Sequence, residues 1–182
     1  MNVILASNSP RRKQLLEEAG LNFKVIPSNF NEEQIEGLSP QKYCQYLAEN
    51  KAKSVYAGNN SIVIGADTIV VFNGEILGKP KDENDAISML TKLSNNKHLV
   101  ITGYAVIKGG KMHSGYEETI VEFNYLSPTL INNYVKSGSP LDKAGAYGIQ
   151  DGFPLVKNII GDYNNVVGLP VNKILEILKG IQ

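Results

Sequence analysis

The 182-residue sequence predicts an α/β protein, a central mixed β-sheet flanked by helices. Three observations carry that prediction. Short β-branched runs alternate with segments of helical periodicity along the whole length, without internal repeats or low-complexity linkers. Helical segments open on Ser9-Pro10, Ser39-Pro40 and Ser127-Pro128, each an N-cap followed by proline at the first helical position. Asn73-Gly74 and Gly109-Gly110 mark tight turns, so some neighbouring strands are antiparallel hairpins.

Taken in order, residues 2–6 (Asn-Val-Ile-Leu-Ala) read as a buried strand. The helix from Pro10 carries Leu15, Leu16 and Ala19 as its apolar stripe and stops at Gly20. A strand over 23–26 leads into a polar loop, 28–38, and a second helix runs from Pro40 to about residue 56, with Gly58 after it. The β-branched runs 62–64 and 69–72 precede the Asn73-Gly74 turn. Asp82-Glu83 opens a helix with Ala86, Met89, Leu90 and Leu93 on one face, and a long strand over 99–107 follows. Residues 117–126 alternate like a half-buried strand, and the helix from Pro128 ends near Gly138. After a loop rich in Gly and Tyr, Pro170 starts the last helix, with Val171, Ile174, Leu175 and Leu178 inward.

Length and 42% hydrophobic content fit one globular domain over 1–182, or one domain with two lobes. Eighteen basic and eighteen acidic residues cancel, so no overall field draws in a nucleic-acid polymer or an anionic membrane. Cys44 is the only cysteine, which excludes an internal disulfide and fits a reducing compartment. The start lacks a basic n-region and a long apolar h-region, and no apolar run approaches the ~18 residues of a membrane span. The chain reads as a cytoplasmic soluble protein.

Arg11 and Arg12 are the only arginines; the other sixteen basic residues are lysine. A guanidinium binds carboxylate or phosphate oxygens bidentately, which an ammonium cannot do. Placed after a buried strand and at a capped helix start, Ser7, Ser9, Arg11 and Arg12 would converge on one anion beyond the strand's end. A capped surface helix with solvated arginines is the alternative. Gly65-Ala66-Asp67-Thr68 sets a carboxylate between two buried runs, where an ionised carboxylate needs an ion partner, hydrogen bonds or a metal. Asp67 suits a general base or a Mg²⁺ ligand, or else a β-bulge or turn that accepts local N–H bonds. Leu47, Lys51 and Val55 are spaced four apart, so Lys51 shares an apolar stripe and wants an anion, unless it snorkels to the helix edge.

Lys79, in Leu77-Gly78-Lys79-Pro80, stands in a tight loop that could aim its ammonium into a cleft, the alternative being a loop lysine that is merely solvated. Glu32 and Glu33 in the polar loop offer a second carboxylate where a metal is needed, and are otherwise solvated. In residues 142–150, close-approach glycines accompany Gln150, whose amide offers donor and acceptor to a nucleobase. A structural loop with Tyr147 packed in the core competes with that reading. His98 and His113 have no spacing that suggests a metal site.

Leu5-Ala6-Ser7-Asn8-Ser9-Pro10-Arg11-Arg12, Gly65-Ala66-Asp67-Thr68, Leu77-Gly78-Lys79-Pro80, Thr102-Gly103, Asp142 through Gln150 and Gly161 through Pro170 together resemble the Maf family of nucleoside triphosphate pyrophosphatases. The likeness covers essentially the whole chain, in order. It implies a Maf/inosine-triphosphatase-like fold with two lobes around a deep cleft, often as a homodimer. It implies hydrolysis of a nucleoside triphosphate between the α and β phosphates, with Mg²⁺ or Mn²⁺, to clear modified or surplus nucleotides. Under the resemblance Asp67 matches the catalytic acidic residue, and Ser7, Arg12, Lys51 and Lys79 match positions that hold the triphosphate. Glu32 is the loop carboxylate near the metal, with Glu33 as the other register. Arg11, Thr68 and Gln150 occupy the discriminating positions of the dTTP/UTP branch.

The family is also associated with arrest of septum formation, which makes a non-catalytic nucleotide-binding regulator the rival reading. A phosphatase or kinase-like enzyme acting at the terminal phosphate is disfavoured by the lack of a GxxxxGK[ST] loop. Among departures from the family pattern, Asn95-Asn96 replaces a usual glycine after Leu93-Ser94.

Overall fold

A computed structural model describes residues 2–32, 35, 37–58 and 61–181. Seven strands form one sheet in the order β2 (Phe23–Val25), β1 (Asn2–Leu5), β3 (Ser61–Phe72), β5 (Lys97–Lys108), β6 (Lys111–Phe123) and β7 (Val156–Ile160), with β4 (Glu75–Leu77) paired to β3. Parallel and antiparallel pairs both occur, so the sheet is mixed as the sequence predicts. The chain divides into two compact units, Met1–Thr68 with Thr102–Glu117 and Gly168–Gln182, and Ile69–Ile101 with Glu118–Val167.

In the first unit β1 (Asn2–Leu5) lies parallel to β2 (Phe23–Val25) and to the start of β3 (Ser61–Phe72), with Leu5 opposite Val25 and Ile64. Helix α1 (Pro10–Glu18) starts at Ser9, whose Oγ accepts from the Arg12 N–H, and α2 (Pro40–Val55) starts at Ser39 in the same way. Ile4, Ala6, Ala52, Val63, Ala105 and Ile107 form a buried cluster that ties α2 to the strands. Helix and sheet approach unusually closely there. A Cβ at Gly65 would lie 2.4 Å from the Ala48 carbonyl oxygen, and one at Gly103, on β5 (Lys97–Lys108), 2.2 Å from that of Cys44. Only glycine leaves room for the α2 main chain on these strands.

The second unit holds the hairpin from β3 into β4 (Glu75–Leu77), turned by Asn73 and Gly74 at φ 49° and 80°. Helices α3 (Glu83–Leu93) and α4 (Pro128–Lys136) pack Leu90, Leu93, Ile131, Tyr134 and Val135 into a core shared with Phe123 and Tyr147. Asn95 takes φ 56°, the left-handed conformation that asparagine tolerates where glycine is usual. The last helix of the chain, α6 (Val171–Gly180), buries Val171, Ile174 and Leu178 in the first unit, while Leu175 is only half-buried.

Three elements differ from the sequence reading. The runs 62–64 and 69–72 belong to one continuous strand, β3, so Asp67 stands in mid-strand and not in a turn. Strand β6 (Lys111–Phe123) begins six residues before the predicted 117; its first half has no fully buried position, so its sequence lacks the inward apolar alternation that marks a strand. The segment predicted as a Gly- and Tyr-rich loop contains β7 (Val156–Ile160), antiparallel to β6, and a short helix α5 (Tyr163–Val167). Among the described residues no helix is long and apolar enough to cross a membrane.

Candidate active site

Two polar clusters meet at Asp67-Thr68 on β3. The first surrounds Arg12, which the first turn of α1 points inward and which is 9% exposed. Its Nε donates to the Gly168 carbonyl at 2.7 Å, and its terminal nitrogens donate to Ser7 Oγ at 3.2 Å and Thr68 Oγ1 at 3.0 Å. Ser7 Oγ also accepts from the Ser9 N–H at 3.1 Å, which leaves the Ser7 proton to donate elsewhere. Thr68 is tied further to Thr102 Oγ1 at 3.0 Å. Among the described residues every partner of the guanidinium is a neutral oxygen and Arg12 forms no ion pair. Burial lowers its pKa, with Asp67 pulling the other way, but an arginine stays charged.

The second cluster surrounds Lys51, whose side chain is 14% exposed on the inner face of α2. Its Nζ lies 2.5 Å from Asp67 Oδ1 and 2.6 Å from Glu32 Oε1. Asp67 is 8% exposed, and burial pushes its carboxyl above the ordinary carboxylate range although Lys51 and Arg12 pull it down. Burial works to lower the Lys51 pKa, yet Asp67 and Glu32 together raise it, so the ammonium is charged. Beneath the pair, the Cys44 thiol donates to the Asp67 carbonyl at 3.2 Å and accepts from the Gly103 N–H at 3.1 Å, and burial pushes this thiol far up, out of nucleophilic range.

The structure thus gathers Ser7, Ser9, Arg12 and Thr68 around one cation, and Glu32, Lys51 and Asp67 around another. Arg11 follows Pro10 at the start of α1 and is half-buried. Glu33 lies outside the described residues. Lys79 and Gln150 belong to the second unit, both exposed, one in the loop after β4 and the other in the turn following Tyr147. Tyr147 is buried in the core, as the competing loop reading had it. Sequence reasoning gave no role to Cys44, Thr102 or Gly168; the matched segments Thr102-Gly103 and Gly161 through Pro170 held two of them.

Comparison with known proteins matches nearly the whole chain. The pattern of the family described as "Maf-like protein" matches residues 2–181, and the chain belongs to that family. Among curated relatives, the dTTP/UTP pyrophosphatase of Geobacillus sp. (strain WCH70) is 49% identical over 179 residues, covering 97% of this chain and 96% of its own. That of Aquifex aeolicus (strain VF5) is 47% identical over 181 residues, covering 98% and 95%. The solved Staphylococcus aureus Ham1 protein matches with a TM-score of 0.52 over 100% of both chains at 17% identity, a likeness of fold alone.

Proposed function

We propose that the chain is a nucleoside triphosphate pyrophosphatase that hydrolyses dTTP and UTP to the monophosphate and pyrophosphate. The names of its relatives support the substrates. The observation that carries the reading is the buried Arg12 guanidinium, held among the described residues by neutral oxygens. A buried cation costs several kcal/mol without a compensating anion, and a triphosphate at the start of α1 supplies one.

The carboxylates of Glu32 and Asp67, drawn to within 2.6 Å of the same ammonium, suit a hard divalent cation, Mg²⁺ or Mn²⁺. Mg²⁺ is commonly held by one or two carboxylates with substrate phosphates completing its shell, so a larger protein ligand set is not required. Such an ion, when bound, supplies Lewis-acid stabilisation of phosphoryl charge. Arg12 and the Ser7 hydroxyl hold phosphate oxygens, and Lys51 keeps Asp67 oriented. Asp67 takes a proton from water as the water oxygen bonds to the α-phosphorus. The bond from that phosphorus to the bridging oxygen breaks, and pyrophosphate leaves with the electron pair. Lys79 adds charge for the leaving phosphates, while Arg11, Thr68 and Gln150 select the base, and Ser9 caps the helix that presents the anion site. The role in the cell is removal of modified or surplus pyrimidine triphosphates.

The test is a panel of dTTP, UTP, CTP, GTP and ATP with Mg²⁺ or Mn²⁺, assaying pyrophosphate and phosphate separately. Pyrophosphate from dTTP and UTP is expected, falling on the order of 10²-fold or more in a folded Asp67→Asn variant. Phosphate as the product, binding without any product, or undiminished turnover in Asp67→Asn would each count against the proposal.

A further inference from the structure

The second unit contains a buried polar clasp that the phosphate chemistry leaves unused. Tyr134 on α4 is wholly buried. Its hydroxyl donates to Asp151 Oδ2 at 2.6 Å and accepts from the Gly148 N–H at 2.9 Å. The Asp151 N–H donates to the Gly148 carbonyl at 3.2 Å, closing a turn around Ile149-Gln150. Lys143 Nζ lies 3.5 Å from the same Asp151 oxygen, and also bonds Asp142 Oδ1 at 2.9 Å and the Ser139 carbonyl. The turn is drawn so tight that a Cβ on Gly148 would stand 2.7 Å from both Asp151 Oδ1 and Lys143 Cε.

One backbone hydrogen bond suffices to close such a turn. Here a buried phenol, a half-buried carboxylate and a buried ammonium hold both of its ends. Between those ends stands Gln150, exposed, and among the described residues its amide has no hydrogen-bond partner. A side chain that reads a base needs a fixed backbone beneath it, because an amide offers a donor and an acceptor and discriminates only when each is aimed. Thymine and uracil present a carbonyl oxygen where cytosine presents an amino group, so a fixed amide favours one over the other.

We propose that Tyr134, Asp151 and Lys143 are positioning residues for Gln150, and that their clasp sets the preference for thymine and uracil over cytosine. This rests on the function proposed above. The experiment compares kcat/KM for dTTP, UTP and CTP, read as pyrophosphate release, in the wild type, Tyr134→Phe, Asp151→Ala, Asp151→Asn, Gln150→Ala and the Tyr134→Phe/Gln150→Ala double variant, with a thermal midpoint for each.

Gln150→Ala and Tyr134→Phe are each expected to lower the dTTP-over-CTP preference about 10-fold, the scale of one well-aimed hydrogen bond, mainly through KM. Asp151→Ala, which keeps the phenol, is expected to do the same, and Asp151→Asn, which still accepts from Tyr134, to retain most of the preference. The double variant is expected to match Gln150→Ala alone. A uniform loss across all three substrates, a further drop in the double variant, or an unchanged preference in Gln150→Ala overturns the clasp proposal while the pyrophosphatase stands. A wild type that releases no pyrophosphate overturns both.

Discussion

Arg12 and His98 are both cation-forming side chains taken out of water, and the fold treats them in opposite ways. Arg12 stays charged and is held by Ser7, Thr68 and the Gly168 carbonyl. His98 is enclosed edge-on by Phe123 and Tyr147, with Nε2 2.7 Å from the Tyr147 hydroxyl, and burial pulls its pKa down to about 4 from the ordinary 6.5. Because the folded value lies below the unfolded one, the contribution is fully present above pH 6.5 and is lost as pH falls toward 4. Urea unfolding at pH 7.5 and 4.5 is expected to show a loss of up to about 3 kcal/mol that a His98→Phe variant lacks. An identical acid dependence in the variant would remove His98 from the account.

At the scale of elements, the site depends on how closely α2 lies on β3 and β5. Gly65 and Gly103 permit the contact, and Cys44 bridges it by bonding the Asp67 carbonyl and the Gly103 N–H. Lys51 then reaches Asp67 from the inner face of the helix. Gly65→Ala would force backbone apart, since its Cβ meets the Ala48 carbonyl oxygen and the Ala52 nitrogen. Denaturant unfolding is expected to show a loss of about 1–3 kcal/mol, the range for overpacking, and turnover should fall with it; a neutral effect on both would contradict the close-contact reading. Local signals made much of this legible: the Ser-Pro caps, the Asn73-Gly74 hairpin and the inward spacing of Lys51 all follow from nearest-neighbour chemistry. Strand β7 was not legible because Val156-Lys157-Asn158-Ile159-Ile160 has no strict alternation and is mostly exposed. Gly168 was missed as a partner because it reaches Arg12 across 156 residues of sequence, a closure that no local pattern encodes.

For the whole molecule, the ordered set of motifs reached further than any single one. Ser7 through Arg12 fits many capped helices, and Asp67 alone fits a turn; their order along the chain is what agrees with a family match over residues 2–181. The balance of eighteen basic and eighteen acidic residues gives no long-range field, so the proposed function requires affinity for a triphosphate to come from local groups. The central claim is that water attacks the α-phosphorus. Hydrolysis of dTTP in ¹⁸O-labelled water, with mass analysis of both products, tests it directly. The account expects the label in the nucleoside monophosphate and none in pyrophosphate, while label in pyrophosphate or in inorganic phosphate would contradict it.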